Sequence, residues 1–336
     1  MKIAVVAPTY LPSRRANTIQ VMKMAQAFLQ LGHRVRVSVP GASPVEQSNL
    51  AEQYGLQHVP QVEWLPARPR LRRYDYGLRA VRWARAWNAD CLYTRLPQSA
   101  ALASLLGQPT LFEVHDMPQG RLGPVLFNLY QRGRGACRLV VISQALAQSL
   151  SRRFQFEPGG DTLLVAPDGV DLARYAQLPA ATQAREILAK REGVHFAPDA
   201  LVAGYTGNLY AGRGRELIME LAAHRPEWRF LLVGGDPVAV EHQRQIAAQR
   251  GLANVILTGF VPNAKLPLYQ AACNVLLMPY QEMVAASSGG NIASYLSPLK
   301  LFEYLASGRA ILSSDLPALR EVLDTDCALL LPPDNP

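Results

Sequence analysis

Long apolar runs are missing from this 336-residue chain. None approaches the roughly 20 residues that cross a bilayer as a helix, so no spanning segment is expected. Cysteine is scarce too. Cys91, Cys137, Cys273 and Cys327 are scattered, with no CxxC and no histidine at ligand spacing. That excludes a disulfide framework and an ordinary zinc site, and points to free thiols in a reducing cytoplasm. The opening MKIAVVAPTY reaches a proline early and reads as a domain strand rather than a signal peptide. Lysines are few, and neither a low-complexity tract nor a repeat shows beyond a strand–helix rhythm. What remains is a globular composition, 49% apolar and 18% charged, on a chain long enough for two domains.

The charge is unevenly placed. Residues 1–166 carry 20 Lys and Arg against 9 Asp and Glu, a net of +11, whereas 167–336 carry 14 against 17, a net of −3. A basic first half is expected to face something anionic. Lipid phosphates, a phosphorylated acceptor and nucleic acid all qualify on charge alone. Segment 67–87 concentrates the effect, with Arg72, Arg79 and Arg82 on one helical face and Leu78, Val81, Trp83 and Trp87 free to pack. Solvated surface and contact with anionic lipid heads or a lipid-pyrophosphate acceptor both fit such a face.

Short apolar runs alternate with helical periodicity. Ile3 to Ala7, Val35 to Val39, Cys91 to Tyr93, Thr110 to Val114 and Leu139 to Ile142 read as buried strands. Several end in polar residues, Thr94-Arg95, His115-Asp116 and Ser143. After a Pro/Ala-rich bridging stretch, 172–198, a second series follows at 201–206, 230–233, 255–258, 275–278 and 310–314, with helices at 215–223 and 237–249. This alternation predicts an α/β chain of two doubly wound parallel sheets. Ligands of such sheets collect at the carboxyl ends of the strands.

Two segments look built for an anion. In SPLKLFEYLASG, 297–308, Ser297 suits the N-cap, Pro298 the first helical position and Gly308 the left-handed stop. First-turn amides and the helix dipole favour an anion there, and Lys300 and Glu303 share one side. Taken alone, the segment reads better as a well-capped core helix with an exposed ion pair; the rest of the chain favours the anion site. The second segment is GNLYAGRG, 207–214, a glycine-rich turn between strand and helix with Arg213 at the helix entrance. It is not a Walker A loop, because Arg213-Gly214 stands where Lys-Ser/Thr would ligate Mg²⁺, and its spacing is not GxGxxG. In the next strand–helix turn Gly234-Gly235 is expected to leave room for ligand. Ser287-Ser-Gly-Gly-Asn ahead of Ser297 reinforces the pairing of the two segments.

Taken in order, these motifs resemble retaining glycosyltransferases of the two-Rossmann, GT-B fold, specifically the large bacterial family 4 (glycosyl transferases group 1). The likeness runs through MKIAVVAPTY with LGHRV, EVHD (113–116), VVISQAL (140–146), APDGVDLARY (166–175), GYTGNLYAGRG (204–214), FLLVGG (230–235), GFVPNAKLPLYQAACNVLLMPY (259–280) and SPLKLFEYLASGRAILSSDLPALREV (297–322). It implies an acceptor domain over 1–166 and a nucleotide-sugar domain over 167–336, the latter lacking final helices found in relatives. Glu303 would bind the ribose hydroxyls of a UDP- or GDP-sugar. Arg213, Lys300 and the amides that Leu299 and Lys300 offer at the helix start, after Ser297 and Pro298, would meet the diphosphate beside Gly207, Asn208 and Gly234. Val261 would lie beside the base. His115 would stand near the reacting sugar, with Arg14, Asn17, Arg95, Glu113 and Asp116 lining the acceptor face. Two positions depart from the family pattern: Tyr295 replaces a second glutamate, and Asn208 a basic residue.

The resemblance implies retention by front-face substitution, with His115, Arg213, Lys300 and Glu303 as the catalytic set and neither metal nor cofactor. Leaving-group charge on the β-phosphate must be met by preorganised donors. A glycosidase-type carboxylate pair is then not required, and none stands out. The acceptor would be a saccharide or a lipid-linked molecule at the cytoplasmic face of a membrane, and nucleic acid is not an expected partner. A nucleotide-sugar epimerase or phosphorylase of the same fold remains open, as does a non-catalytic nucleotide-sugar or nucleic-acid binder. A phosphorylase would need a pyridoxal phosphate lysine, for which this chain offers no obvious candidate.

Overall fold

The structure, a computed structural model, describes residues 1–41, 47–156, 161–285 and 290–333. The chain divides into two compact units, Met1–Pro167 and Asp168–Pro336. No helix among the described residues is long and apolar enough to cross a membrane.

In the first unit the order is β1 (Lys2–Val6), α1 (Ala16–Gln30), β2 (Arg34–Pro40), α2 (Gln47–Tyr54), β3 (Gln61–Leu65), α3 (Tyr74–Ala86), β4 (Cys91–Thr94), α4 (Pro97–Leu105), β5 (Thr110–Val114), α5 (Gly123–Arg132), β6 (Ala136–Val141), α6 (Gln144–Phe154) and β7 (Leu163–Val165). The seven strands form one parallel sheet in the order β3-β2-β1-β4-β5-β6-β7. Ile3 of β1 lies opposite Val35 on one side and Cys91 on the other. Alternate side chains of β1 feed opposite faces, as the two-residue period requires. Ile3 and Val5 pack with Val21, Met22 and Ala25 of α1, while Ala4 and Val6 pack with Tyr76, Ala80 and Val81 of α3. Ser143 opens α6 by accepting the Leu146 amide, which places the end of β6 firmly.

The second unit runs through α7 (Ala181–Glu192), β8 (Val202–Thr206), α8 (Arg215–His224), β9 (Arg229–Val233), α9 (Pro237–Gln249), β10 (Val255–Gly259), α10 (Leu266–Ala271), β11 (Val275–Met278), α11 (Leu299–Ser307), β12 (Ala310–Ser314) and β13 (Leu329–Leu331). Its six strands are again parallel, in the order β10-β9-β8-β11-β12-β13. Val202, Leu231 and Val233 face one core, and Ala203, Tyr205, Phe230 and Leu232 the other. In both sheets the strand order reverses beside the first strand of the unit, between β1 and β4 and between β8 and β11. Such reversal points open a crevice at the carboxyl ends.

Two local expectations are corrected. Stretch 172–198 is not merely a bridge, because it contains α7, whose Ala184 and Leu188 are fully buried. The helical pattern is masked by Arg185, which also points inward and donates to the Ala272 carbonyl and to Asn274 Oδ1. Arg72 is not on the face of α3. Arg72 and Arg73 both adopt left-handed backbone, with φ of 44° and 68°, so the helix starts only at Tyr74. Arg79 is engaged by Asp75 Oδ2 at 2.8 Å, one turn earlier, and Trp83 donates its ring N–H to Glu63. Two strands that sequence reading did not single out are β3, interrupted by Glu63, and β7, only three residues long.

Candidate functional site

The reversal point of the second sheet carries the densest chemistry. β8 ends at Thr206 and passes directly into Gly207, whose amide donates to the Val233 carbonyl at 2.9 Å. Gly207 has φ of +136° and Gly234 of +118°, and a Cβ on Gly234 would stand 2.3 Å from the Gly207 carbonyl oxygen. Gly234 thus makes room for the neighbouring loop backbone. The loop is tied down as well. Arg215 Nη1 donates to the Leu209 carbonyl, and the Gln281 amide donates to that of Gly212. Tyr205 donates its hydroxyl to the Asn208 carbonyl at 2.7 Å, so Asn208 contributes backbone here.

Lys300 and Arg213 converge on this loop. The Lys300 ammonium lies 3.6 Å from the centroid of the Tyr205 ring and 5.7 Å from that of Tyr280. A Cβ on Gly207 would come within 2.9 Å of that ammonium. Arg213 stacks over Tyr280 at 5.3 Å and donates to its hydroxyl at 3.0 Å. Lys300 Nζ and Arg213 Nε are both buried and have no hydrogen-bond partner among the described residues. Burial first, then the charge of Arg213, pushes the Lys300 pKa well below its ordinary value, with Glu303 pulling the other way. An aromatic face stabilises a cation only partly. Two buried cations side by side, with donor capacity unused, form a place where an anion gains more than it would in water.

α11 supplies the rest. It begins at Leu299, with Pro298 as the flanking residue, and ends at Gly308 in the left-handed conformation. Ser297 is not the cap that its type suggests. Its hydroxyl accepts the Asp168 amide at 3.1 Å, so it anchors the chain entering the unit instead. The first-turn amides therefore lack a side-chain cap and stay available for a ligand. Lys300 and Glu303 are both buried, 9% and 8% exposed, which rules out the exposed ion pair. Glu303 is held by two amides: Asn263 Nδ2 donates to Oε1 at 3.4 Å, and Gln270 Nε2 to Oε2 at 3.2 Å. Arg174 grips Asn263 through both its side-chain oxygen and its backbone carbonyl. Tyr175 donates to Gln270 Oε1 at 3.0 Å. Val261 follows β10 and lines a cavity of about 590 Å³ with Phe260, Pro262, His195 and Lys265. Tyr295 is half-buried just ahead of α11, while Ser287, Ser288 and Gly289 lie outside the described residues.

In the first unit, Glu113 at the end of β5 makes a short contact through Oε1 with His115 Nε2. The same oxygen accepts the Gln20 side-chain amide at 2.7 Å, and Gln20 Oε1 accepts Arg95 Nη1 at 3.1 Å. Burial, and then the Arg95 charge, holds the His115 pKa well below its usual value. The neutral ring gives its Nε2 hydrogen to Glu113 and keeps a lone pair on Nδ1. Asp116 turns away to accept the Met117 amide and Gln119 Nε2. Arg14 is exposed, and Asn17 Oδ1 accepts from Thr18.

Sequence reading did not find Gln20, Tyr205, Tyr280, Asn263 or Gln270. Gln20 offers a faint signal, as a polar residue on the apolar side of α1. The others act through contacts between residues far apart in the chain.

Comparison with known proteins fits this geometry. Residues 18–174 match Glycosyltransferase Family 4, and residues 201–336 match Glycosyl transferases group 1. TuaH of Bacillus subtilis (strain 168), a glycosyltransferase assigned to teichuronic acid biosynthesis, is 34% identical over 134 residues, which is 40% of this chain and 30% of that protein. The phosphatidyl-myo-inositol mannosyltransferase of Mycolicibacterium smegmatis is 25% identical, over all of this chain and 82% of its own length. Among solved structures, Anabaena Alr3699/HepE in complex with UDP superposes with a TM-score of 0.71 at 18% identity, covering 100% of this chain and 86% of that one.

Proposed function

Because this chain belongs to the GT-B glycosyltransferases, we propose that its second unit holds a nucleotide-diphosphate sugar and passes the sugar to an acceptor hydroxyl. The observation that carries this reading is the pair of buried, unsatisfied cations, Lys300 and Arg213, packed around Gly207 at the reversal point of β8 and β11. The diphosphate sits against them and against the first-turn amides of α11. Glu303, already fixed by Asn263 and Gln270, turns its carboxylate to the ribose hydroxyls. The base lies along Val261, and the donor is a UDP- or GDP-sugar.

Charge accumulates on the β-phosphate as the glycosidic bond stretches. Lys300 and Arg213 meet it without reorganising, in surroundings poor in water, where each interaction is stronger than in solvent. The leaving phosphate takes the proton of the incoming hydroxyl on the same face of the sugar, so the anomeric configuration is retained. His115, Glu113 and Arg95 belong to the acceptor side. The reaction serves cell-surface polysaccharide or glycolipid assembly at the cytoplasmic face of the membrane.

Thermal-shift titration with UDP, GDP and their sugars tests the donor. A saturating nucleotide at about a hundred times its Kd stabilises the fold by roughly 2.7 kcal/mol. Arg213→Ala should abolish that shift and leave ligand-free melting nearly unchanged. Labelled UDP-sugar should release free nucleotide, which an epimerase would not do. If no nucleotide shifts the wild-type chain, or if Arg213→Ala shifts equally, the reading fails.

A further inference from the structure

The first unit holds a second cationic cavity, of about 680 Å³, at the carboxyl ends of β1 and β4, where its own sheet reverses. Four arginines stand on its wall, Arg72, Arg73, Arg95 and Arg121. Of these only Arg95 carries a role from the family resemblance. They arrive on three separate loops, each leading into a helix: Arg72-Arg73 into α3, Arg95 into α4 and Arg121 into α5. The three flanking residues, Arg73, Leu96 and Leu122, provide no side-chain cap, so the first-turn amides of these helices are left without a side-chain partner. Among the described residues, no carboxylate lines the cavity. Arg72, Arg73 and Arg121 form no ion pair among the described residues.

Such an arrangement repels itself unless an anion enters. Planar guanidinium forks and helix-start amides together match a tetrahedral dianion with several oxygens, better than a carboxylate with two. Gln98 adds a complementary feature. Its Oε1 is buried on the same wall and has no hydrogen-bond partner among the described residues, so it is suited to accept from a hydroxyl. The cavity also communicates with the acceptor side, since Arg95 reaches Glu113 and His115 through Gln20.

We infer that this cavity binds a phosphoryl group carried by the acceptor, which is therefore a hydroxylated phosphate ester. The word acceptor rests on the glycosyl-transfer reading; the anion site itself does not. The phosphoryl group sits among the four arginines, and a neighbouring hydroxyl is fixed by Gln98. A free sugar phosphate and a lipid-borne phosphate share this chemistry.

Calorimetric titration of the full chain saturated with UDP, using glucose 6-phosphate and glucose, tests the site. Sedimentation with phosphatidylcholine vesicles, with and without phosphatidic acid, supplies the lipid arm. Binding of glucose 6-phosphate but not glucose is expected, weakened at least about tenfold in the Arg72→Gln/Arg121→Gln double variant. Arg121→Gln alone should give an intermediate loss, and UDP affinity in both variants should match wild type, which shows that they fold. Binding to phosphatidic acid vesicles alone, lost in the double variant, also supports the phosphoryl site and assigns its source to a lipid. Failure of both phosphate probes, or equal binding by the double variant, overturns the inference. Loss of UDP binding in the wild type with glucose 6-phosphate binding intact would overturn the donor reading and leave this one standing.

Discussion

The two units are built on the same plan, a parallel sheet whose order reverses beside its first strand, and each gathers cations at that reversal. They differ in how dry those cations are. In the second unit Lys300 and Arg213 are packed against tyrosine rings with donor atoms unsatisfied. In the first, Arg72 and Arg121 are exposed and Arg73 and Arg95 half-buried, while the deeply buried groups, Gln20 and Glu113, are bonded to each other. On the proposed reaction, the difference follows from where charge changes. A leaving diphosphate gains charge in the transition state, so a low-dielectric, prearranged site stabilises it selectively. A phosphate that only positions the acceptor gains none, and exposed, salt-screened arginines suffice to bind it. Raising ionic strength should therefore weaken phosphate-ester binding more than UDP binding.

The largest effect expected is on the glycine loop. Gly234→Ala combines a strained backbone with a Cβ 2.3 Å from the Gly207 oxygen, so the loop under the diphosphate must move. A loss of roughly 2–4 kcal/mol in stability is expected, with UDP-induced stabilisation gone. A contrasting change in the first unit, Gly107→Ala in the turn after α4, has φ of +73° but open space around the new Cβ. It should cost about 1 kcal/mol and leave UDP binding intact. Denaturant unfolding with and without UDP measures both. Equal behaviour of the two variants would erase the distinction between a crowded donor loop and a loose one.

Next in size is Lys300. Its pKa is depressed in the ligand-free protein, so between that value and the unfolded one near about 10.4 the unfolded chain holds more protons than the folded one. Stability then rises with pH across that window and falls as the pH drops toward the folded pKa. An arriving diphosphate favours the charged amine, so at a pH where part of the Lys300 population has lost its proton UDP binding should take one up. Calorimetry in two buffers at about pH 8, above the phosphate's own ionisation near 6, reads this directly. Lys300→Met should abolish the uptake, remove the pH slope and weaken UDP about 10- to 100-fold. Proton uptake unchanged in Lys300→Met would show that Lys300 is already charged when the site is empty.

Much of the architecture could be read in advance because buried parallel strands are apolar runs that end in polar residues, as at Thr206 and Thr94. Where reading failed, the cause was physical. Arg185 turns inward and breaks the amphipathic pattern of α7. Arg72 and Arg73 take up left-handed backbone that composition assigns to glycine or asparagine. Ser297 has the right type for a cap, yet its hydroxyl is used by Asp168 from the far end of the unit. The residue types at Lys300, Arg213 and Glu303 were legible from motif and helix periodicity. The tyrosines that desolvate the two cations and the amides that orient Glu303 were not, because Tyr280 reaches Arg213, and Asn263 reaches Glu303, across dozens of residues.

The smallest effect expected tests the other half of the comparison, that buried groups in the first unit position rather than stabilise charge. Gln20 bonds both Arg95 and Glu113, and Glu113 contacts His115, so a change at Gln20 reaches the His115 ring. Gln20→Glu places a carboxylate between the arginine and the histidine and offsets the charge that helps keep the ring neutral. A raised His115 pKa follows, and protonation removes the Nδ1 lone pair. The acidic limb of the turnover–pH profile should move up by about one pH unit, while turnover near pH 8 changes less than about tenfold. UDP affinity should not change, since the donor cations belong to the other unit. A profile that stays in place while turnover falls uniformly would make Gln20 a packing residue, and a change in UDP affinity would show that the two units share their electrostatics.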